Sequence, residues 1–185
     1  YTMLLFFQYF IILLQIFFLS LFLIISGFLL KKFLLGLHDT DNYEENGLFG
    51  FLLVGFISLL INFFYPLNIL INNISFLIIF LLGIKYNFFK SNLKKLFKRV
   101  FLLSLLPFFY LIYANVNTPD AFLYHLPYSK IINENKLIIG LANLHSRFGH
   151  ISIFQYISSF FVNSFFGING LLIPIALVPV LFFLF

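Results

Sequence analysis

The stretch that decides the fold is residues 4–30, LLFFQYFIILLQIFFLSLFLIISGFLL. A bilayer core of about 30 Å requires about 20 apolar residues in a helix, and this stretch is long enough and carries no charged residue. It lacks a basic leading region and a small-residue cleavage site before Lys31. We therefore expect it to remain in the protein as a membrane helix instead of being removed as a signal peptide.

The composition of the whole chain indicates an integral membrane protein. Hydrophobic residues make up 62% and charged residues 9%, and the mean hydropathy is +1.07, which excludes a soluble domain with a solvated surface. Because the chain has no Cys, disulfides and thiolate metal sites are excluded. Phe occupies 31 positions without any Trp, so individual Phe or Asn residues are expected to carry little information.

The same length criterion predicts an all-α fold, a polytopic transmembrane bundle of about six helices. The predicted segments are residues 4–30, 48–64, 67–84, 96–114, 151–166 and 171–185. Residues 1–114 thus hold about four N-terminal transmembrane helices, residues 115–150 form a polar loop, and residues 151–185 hold two further helices. Pro107 is expected to kink the fourth segment. The missing initiator Met and the apolar end at Phe185 suggest a fragment of a longer polytopic protein.

Basic residues set the predicted orientation, because short loops rich in Lys and Arg stay in the cytoplasm. Six of them crowd the connection before the fourth segment: Lys85, Lys90, Lys94, Lys95, Lys98 and Arg99. Counting helices from there places Lys31 and Lys32 inside as well. The turn at residues 65–73 and the loop at residues 115–150 then lie outside. The expected location is a bacterial inner (plasma) membrane, crossed several times.

Two charged clusters on the predicted inner side allow more than one interpretation. We favour the basic cluster as a topology determinant, and a binding site for anionic lipid headgroups is the alternative. The acidic patch Asp39, Asp41, Glu44 and Glu45 is expected to be a solvated turn.

The loop begins as a helix start and continues as a surface helix. Thr118 suits an N-cap, Pro119 the first helical position and Asp120 the first turn, which gives Asp120 a purely structural explanation. Residues 120–136 fit an amphipathic helix on the outer membrane surface, broken near Pro127. Tyr124 and Tyr128 would lie at the headgroup level, and Lys130 can pair with Glu134.

The loop also concentrates residues suited to an anionic, lipid-linked substrate. Arg147 can bind a phosphate through two nitrogens, and His145, His150 and Lys136 can add donors. Each histidine has an alternative role as an interfacial residue bonded to backbone or lipid. Asp120 and His125 are five residues apart and do not share a helical face, so they alone make a poor metal site. No GxSxG element indicates a serine nucleophile.

One run of residues resembles a known family. Asp120-Ala-Phe-Leu-Tyr124-His125-Leu-Pro127, then Lys130, Gly140-Leu141 and Asn143-Leu-His145-Ser-Arg147-Phe148-Gly149 before a new membrane helix, resembles the first large external loop of the GT-C superfamily. These polytopic glycosyltransferases use lipid-phosphate-linked sugars, and the run is most similar to a mostly uncharacterised bacterial branch. Ala121 stands where many members have a second acid, and about four helices precede the loop instead of one.

The resemblance implies a site made by this loop. Asp120 would be the catalytic general base. The substrate-binding residues would be Tyr124, His125, Lys130, His145, Arg147 and His150. Some members bind a divalent metal ion, for which Asp120 would be the ligand.

Three functions remain open from the sequence. The first is a glycosyltransferase that moves a sugar from a polyprenyl-phosphate-linked donor at the extracytoplasmic face. The second is a transporter or flippase component that recognises a lipid-linked saccharide headgroup, for which Pro107, Pro174 and Pro179 as helix breaks are mildly favourable. The third is a structural subunit. The expected partners are the lipid bilayer and the lipid-linked sugar donor, without nucleic acid.

Overall fold

The computed structural model describes residues 2–37, 42–86, 88–90, 93–113, 123, 125–143, 146–149 and 152–184. Within these residues the chain is helical and contains no strand, so the predicted all-α class is confirmed. The α-helices are α1 (Thr2–Leu34), α2 (Tyr43–Phe64), α3 (Ile69–Lys85), α4 (Leu93–Tyr113), α5 (Leu126–Glu134), α6 (Ile153–Phe160) and α7 (Ile173–Leu184). Short 3-10 helices lie at Phe88–Lys90, Leu141–Asn143, Ser146–Gly149 and Gly167–Leu171.

Helices α1 and α2 form an antiparallel pair whose backbones touch at two glycines. A Cβ atom at Gly27 would lie 1.7 Å from the carbonyl oxygen of Asn46, and one at Gly50 would lie 1.8 Å from that of Leu23. Small residues allow such close approach between apolar helices. The segments Phe6–Leu34 and Tyr43–Phe64 are both long and apolar enough to cross a membrane.

The outer faces of the helices carry many large apolar side chains. Inside, the Phe22 ring stacks on Phe76 with the ring centroids 4.4 Å apart. Outside, large apolar side chains stay exposed on consecutive turns of α2, with Phe56 61% and Leu60 60% exposed. A soluble monomer rarely leaves so much contiguous apolar surface uncovered. This distribution suits a hydrocarbon environment.

Charged residues from α1, α2 and α4 meet at one end of the bundle, which we call the basic end. Lys31 Nζ lies 3.2 Å from Oε1 of Glu45, and Lys32 Nζ lies 3.5 Å from the carbonyl oxygen of Tyr86. Arg99 of α4 donates through Nε to the carboxylate of Glu44. The C-terminal ends of α1 and α3 therefore lie beside the N-terminal end of α2, as the predicted orientation requires.

The expectation of a solvated acidic turn is wrong for two of its four residues. Glu44 is only 7% exposed, because Arg99 neutralises it, and Glu45 pairs with the buried Lys31. Asp39 and Asp41 lie outside the described residues.

Helix α6 differs from the predicted fifth segment in both length and direction. It has eight residues, about 12 Å at 1.5 Å per residue, which is too short to cross a bilayer. Its first residue, Ile153, packs on Gly55 in the middle of α2. Its last turn reaches Asn72 at the start of α3. Helix α7 then runs back, since Leu181 packs on Gly47 near the basic end.

Side-chain hydrogen bonds explain where α6 begins and ends. At its start, Ser152 and Gln155 form a reciprocal capping box, which fixes the first turn. After it, the Asn163 side-chain oxygen accepts hydrogen bonds from the backbone N–H groups of Phe165 and Phe166, each at 3.0 Å. Asparagine thereby competes with the helical hydrogen bonds, and the chain turns at residues 161–172.

Candidate functional site

Helix α5 is the longest helix in the described part of the candidate loop. Pro127 occupies its first turn, a position that proline favours. Most of the residues that would continue the predicted surface helix upstream of Pro127 lie outside the described residues. Tyr128 and Ile132 pack in a small apolar cluster whose other buried members are Leu67, Leu141 and Tyr156. Tyr128 is 2% exposed, so its ring packs inside the protein in this cluster.

Main-chain hydrogen bonds fasten this segment to the turn between α2 and α3. Leu67 N–H donates to the carbonyl of Ile132 at 3.0 Å, and Leu137 N–H donates to the carbonyl of Asn62 at 2.7 Å. The predicted outer turn and the predicted outer loop thus lie at one end of the molecule.

Three asparagine amides reinforce the same junction, and we call it the asparagine end, after Asn62, Asn72 and Asn133. Asn62 Nδ2 donates to the carbonyls of Ile132 at 3.1 Å and Asn135 at 3.0 Å. Asn133 Nδ2 donates to the carbonyl of Ser159 at 2.9 Å. Asn62 and Asn133 thus join α5 to α2 and to the end of α6, whereas Asn72 joins the start of α3 to the end of α6.

Asn72 is the most buried of the three, with no exposed surface. Its Nδ2 lies 2.9 Å from each of three carbonyl oxygens, those of Leu67, Ser159 and Val162. Carbonyls at a helix end lack partners within the helix and need them from elsewhere. The expectation that asparagines carry little information is therefore wrong here.

Gln15 performs a similar role from α1, although the sequence analysis did not single it out. Its Nε2 donates to the carbonyl of Phe165 at 2.7 Å, and its Oε1 accepts from Asn169 Nδ2 at 2.8 Å. Gln15 is 5% exposed. An amide in the middle of an apolar helix is itself the signal that could have found it, because a buried amide needs partners.

The described residues include only part of the predicted site. His125 immediately precedes α5 and is exposed. Lys130 Nζ lies 3.8 Å from Oε1 of Glu134, which confirms the predicted pair, and both side chains are exposed. Arg147 lies in the 3-10 helix Ser146–Gly149. The other predicted site residues, Asp120, Tyr124, His145 and His150, lie outside the described residues.

The structure does bring the segment of Arg147 against α5. The ring of Phe148 lies 5.7 Å from that of Tyr128, and a Cβ atom at Gly149 would be 3.2 Å from that of Ala142. Gly140 has φ +90°, which favours glycine. Gly140, Leu141 and Phe148, which belong to the resemblance, thus have a structural role here. We call α5 together with Leu141–Asn143 and Ser146–Gly149 the α5 platform.

Tyr128 lies at the centre of the α5 platform, and its burial affects the pKa of its hydroxyl. The pKa of Tyr128 is raised well above its usual value, first by burial and then by the neighbouring Tyr156. Burial disfavours the charged phenolate. The Tyr128 hydroxyl therefore stays protonated in the folded chain to a higher pH than an exposed tyrosine would.

Metal ligands do not cluster in the described part of the chain. No group of three or more His, Asp or Glu there could hold a metal ion. Any metal site on this loop would have to use residues outside the described ones, such as Asp120.

The described residues define an all-helical protein with two candidate membrane-spanning helices and a loop segment anchored at one end. Residues 9–185 match the family described as "Domain of unknown function (DUF8201)", and the chain belongs to this family. No curated protein and no solved structure matches the chain.

Proposed function

We propose that this protein is a membrane glycosyltransferase that uses a polyprenyl-phosphate-linked sugar at the extracytoplasmic face, with Asp120 as the general base. The observation that carries the proposal is the anchoring of the candidate loop. Hydrogen bonds from Asn62, Asn133 and Leu67 fix α5 to the bundle. A transferase that orients a sugar and a phosphate needs such a rigid support beside its reacting groups.

The membrane arrangement in this proposal has the asparagine end outside and the basic end in the cytoplasm. Helices α1 to α4 cross the bilayer, and α6 belongs to a re-entrant segment open to the outside. Non-helical backbone is tolerated at membrane depth only where protein buries it and satisfies its polar groups. Gln15 and Asn72 supply those hydrogen bonds to the turn after α6.

The proposed chemistry assigns one role to each charged group. The acceptor hydroxyl loses its proton to the Asp120 carboxylate while its oxygen forms a bond to the anomeric carbon of the sugar. The bond between that carbon and the phosphate oxygen breaks, and polyprenyl phosphate leaves with the electron pair. Arg147, His145 and His150 would bind the phosphate, and Lys130 and His125 lie on the adjacent α5 platform.

The test compares the two acids of the loop in the full-length protein. Membranes carrying Asp120→Asn or Glu134→Gln are incubated with radiolabelled polyprenyl-phosphate hexoses, and transfer of label is measured. Loss of a general base lowers rates by about 10²- to 10⁴-fold, so Asp120→Asn should lose transfer. Glu134→Gln should retain it, since Glu134 is an exposed partner of Lys130. Equal transfer by Asp120→Asn and wild type would contradict the catalytic role.

One observation favours the alternative of a transporter or flippase component. The short α6, the turn at residues 161–172 and α7 together form a discontinuous helical element, and such elements surround substrate sites in many transporters. Under this alternative, the reconstituted wild-type protein would move a lipid-linked saccharide across vesicle membranes without transferring its sugar. Translocation unchanged by Asp120→Asn, together with no transfer by wild type, would favour it over the enzyme.

A further inference from the structure

A polar pocket at the basic end is separate from the candidate loop. It has a volume of about 400 Å³ and lies between the start of α2 and the first half of α4. Its lining residues are Tyr43, Glu44, Lys95, Lys98, Arg99 and Leu102. Among the described residues, three cations thus line the pocket together with one carboxylate.

The helical spacing of α4 explains why these cations share the pocket. Lys95, Lys98, Arg99 and Leu102 follow positions i, i+3, i+4 and i+7, which lie on one face of a helix. The opposite face of α4 is buried, with Leu96 and Val100 at 0% exposed. Because the buried face of α4 packs on the core, the face that carries Lys95, Lys98 and Arg99 is directed toward the start of α2.

Glu44 does not neutralise the pocket. It accepts a hydrogen bond from Nε of Arg99, and the Arg99 side chain remains 43% exposed. The guanidinium carries two further nitrogens that can donate to another acceptor. Lys95 Nζ lies 6.0 Å from the centre of the Tyr43 ring. Both residues line the pocket. Lys98 and the remaining nitrogens of Arg99 thus border the pocket in addition to the Glu44–Arg99 contact.

An apolar strip continues from the pocket along α4. Leu102 is 45%, Leu106 55% and Phe109 54% exposed, and their spacing continues the face of Lys95 and Lys98. A phosphate bound by the cations would thus have hydrocarbon surface directly beside it. A free phosphate ion needs no such strip, whereas the acyl chains of a lipid do.

We propose that this pocket binds the phosphate headgroup of an anionic membrane lipid, with the acyl chains along Leu102, Leu106 and Phe109. The inference rests on the proposed membrane orientation but not on sugar transfer. Basic pockets beside membrane helices on the cytoplasmic side bind anionic headgroups by the same electrostatics. The lipid would hold the start of α4 against α2 by bridging Lys95, Lys98 and Arg99.

The test measures binding of phosphatidic acid with a fluorescent acyl tail to the purified full-length protein in neutral detergent. The variant Lys95→Gln/Lys98→Gln removes two pocket cations. The matched control Lys85→Gln/Lys94→Gln removes two cations of the same basic cluster that do not line the pocket. The pocket variant should bind roughly 10- to 30-fold more weakly, because each Lys near an anionic lipid contributes about 1 kcal/mol. The control should change binding by less than about twofold.

Three outcomes would overturn the proposal: equal weakening in both double variants, no weakening in the pocket variant, or complete displacement of the lipid by millimolar inorganic phosphate. The last result would assign the pocket to free phosphate. If the pocket variant is not monodisperse, the single variants Lys98→Gln and Lys94→Gln provide the same comparison. No sugar donor is present, so the outcome is independent of the role of Asp120.

Discussion

The two ends of α2 are held by different kinds of interaction. At the asparagine end, neutral amides donate to backbone carbonyls, as Asn72 does at 2.9 Å. At the basic end, ion pairs such as Lys31–Glu45 join the helices. Neutral hydrogen bonds depend little on salt, whereas partly exposed charges are screened by it.

This difference matches the tasks that we propose for the two ends. A candidate catalytic loop needs fixed geometry, and directional amide bonds supply it. A cytoplasmic surface needs positive charge to set orientation and to attract anionic headgroups, and it tolerates looser geometry. Each substitution below therefore asks whether one end can be weakened without the other.

The largest effect is expected at the asparagine end. Asn72→Leu would remove a hydrogen-bond donor from the carbonyls of Ser159 and Val162, and Asn72 itself has no exposed surface. A buried polar group without a partner costs about 1–3 kcal/mol, so the loss should be about 3 kcal/mol or more. The unfolding midpoint of the purified protein in detergent should fall, and protease cleavage in the candidate loop should accelerate.

The neighbouring Asn73 provides the control for that substitution. Its Nδ2 donates to the hydroxyl of Ser164 at 2.8 Å, but the contact is exposed. Asn73→Ala should therefore cost less than about 1 kcal/mol. Equal destabilisation by both substitutions would show that the amide network has no special role.

A smaller effect is expected at the basic end, where two neighbouring glutamates can be compared. Glu45→Gln leaves Lys31, which is 2% exposed, without its carboxylate, and should cost about 2 kcal/mol. Glu44→Gln leaves Arg99, whose side chain is 43% exposed and can be hydrated, so it should cost about 1 kcal/mol or less. The two unfolding midpoints should be recorded at low and high salt. If Glu44→Gln lowers the unfolding midpoint more than Glu45→Gln does, burial of the cation does not determine how much each ion pair stabilises the basic end.

The lengths of the apolar runs in the sequence predicted most of the long helices. The bounds of α1 to α4 follow from apolar runs bounded by Lys31, Pro66 and the basic cluster, and the observed ends differ from the predicted ones by a few residues. Residues 151–166 show the limit of this criterion. The run is apolar enough for a span, but Asn163 ends the helical hydrogen bonding early, and side-chain competition of this kind is invisible to a hydropathy count.

The candidate site was predicted less completely than the fold. The Lys130–Glu134 pair follows from the i, i+4 spacing and is confirmed. The burial of Tyr128 is not a local property, because it depends on Leu67 and Tyr156, which are distant in sequence. The amides of Gln15 and Asn72 likewise find their partners across the bundle, where spacing along one helix carries no information.

The smallest expected effect concerns the pH dependence of stability. It tests the packing of Tyr128 in the apolar cluster at the asparagine end. Burial raises the pKa of Tyr128 above its usual value of 10.0, so the unfolded chain releases this proton more readily than the folded one. The associated stability is complete below about pH 10 and is lost as pH rises further. Tyr128→Phe should therefore differ from wild type by about 1 kcal/mol or less at pH 7. Its unfolding midpoint should then fall less steeply above pH 10. Parallel curves of unfolding midpoint against pH for the two proteins, from pH 7 to 11, would mean that Tyr128 ionises as readily in the folded chain as in the unfolded one. That result would refute the burial of Tyr128 between α5 and α6.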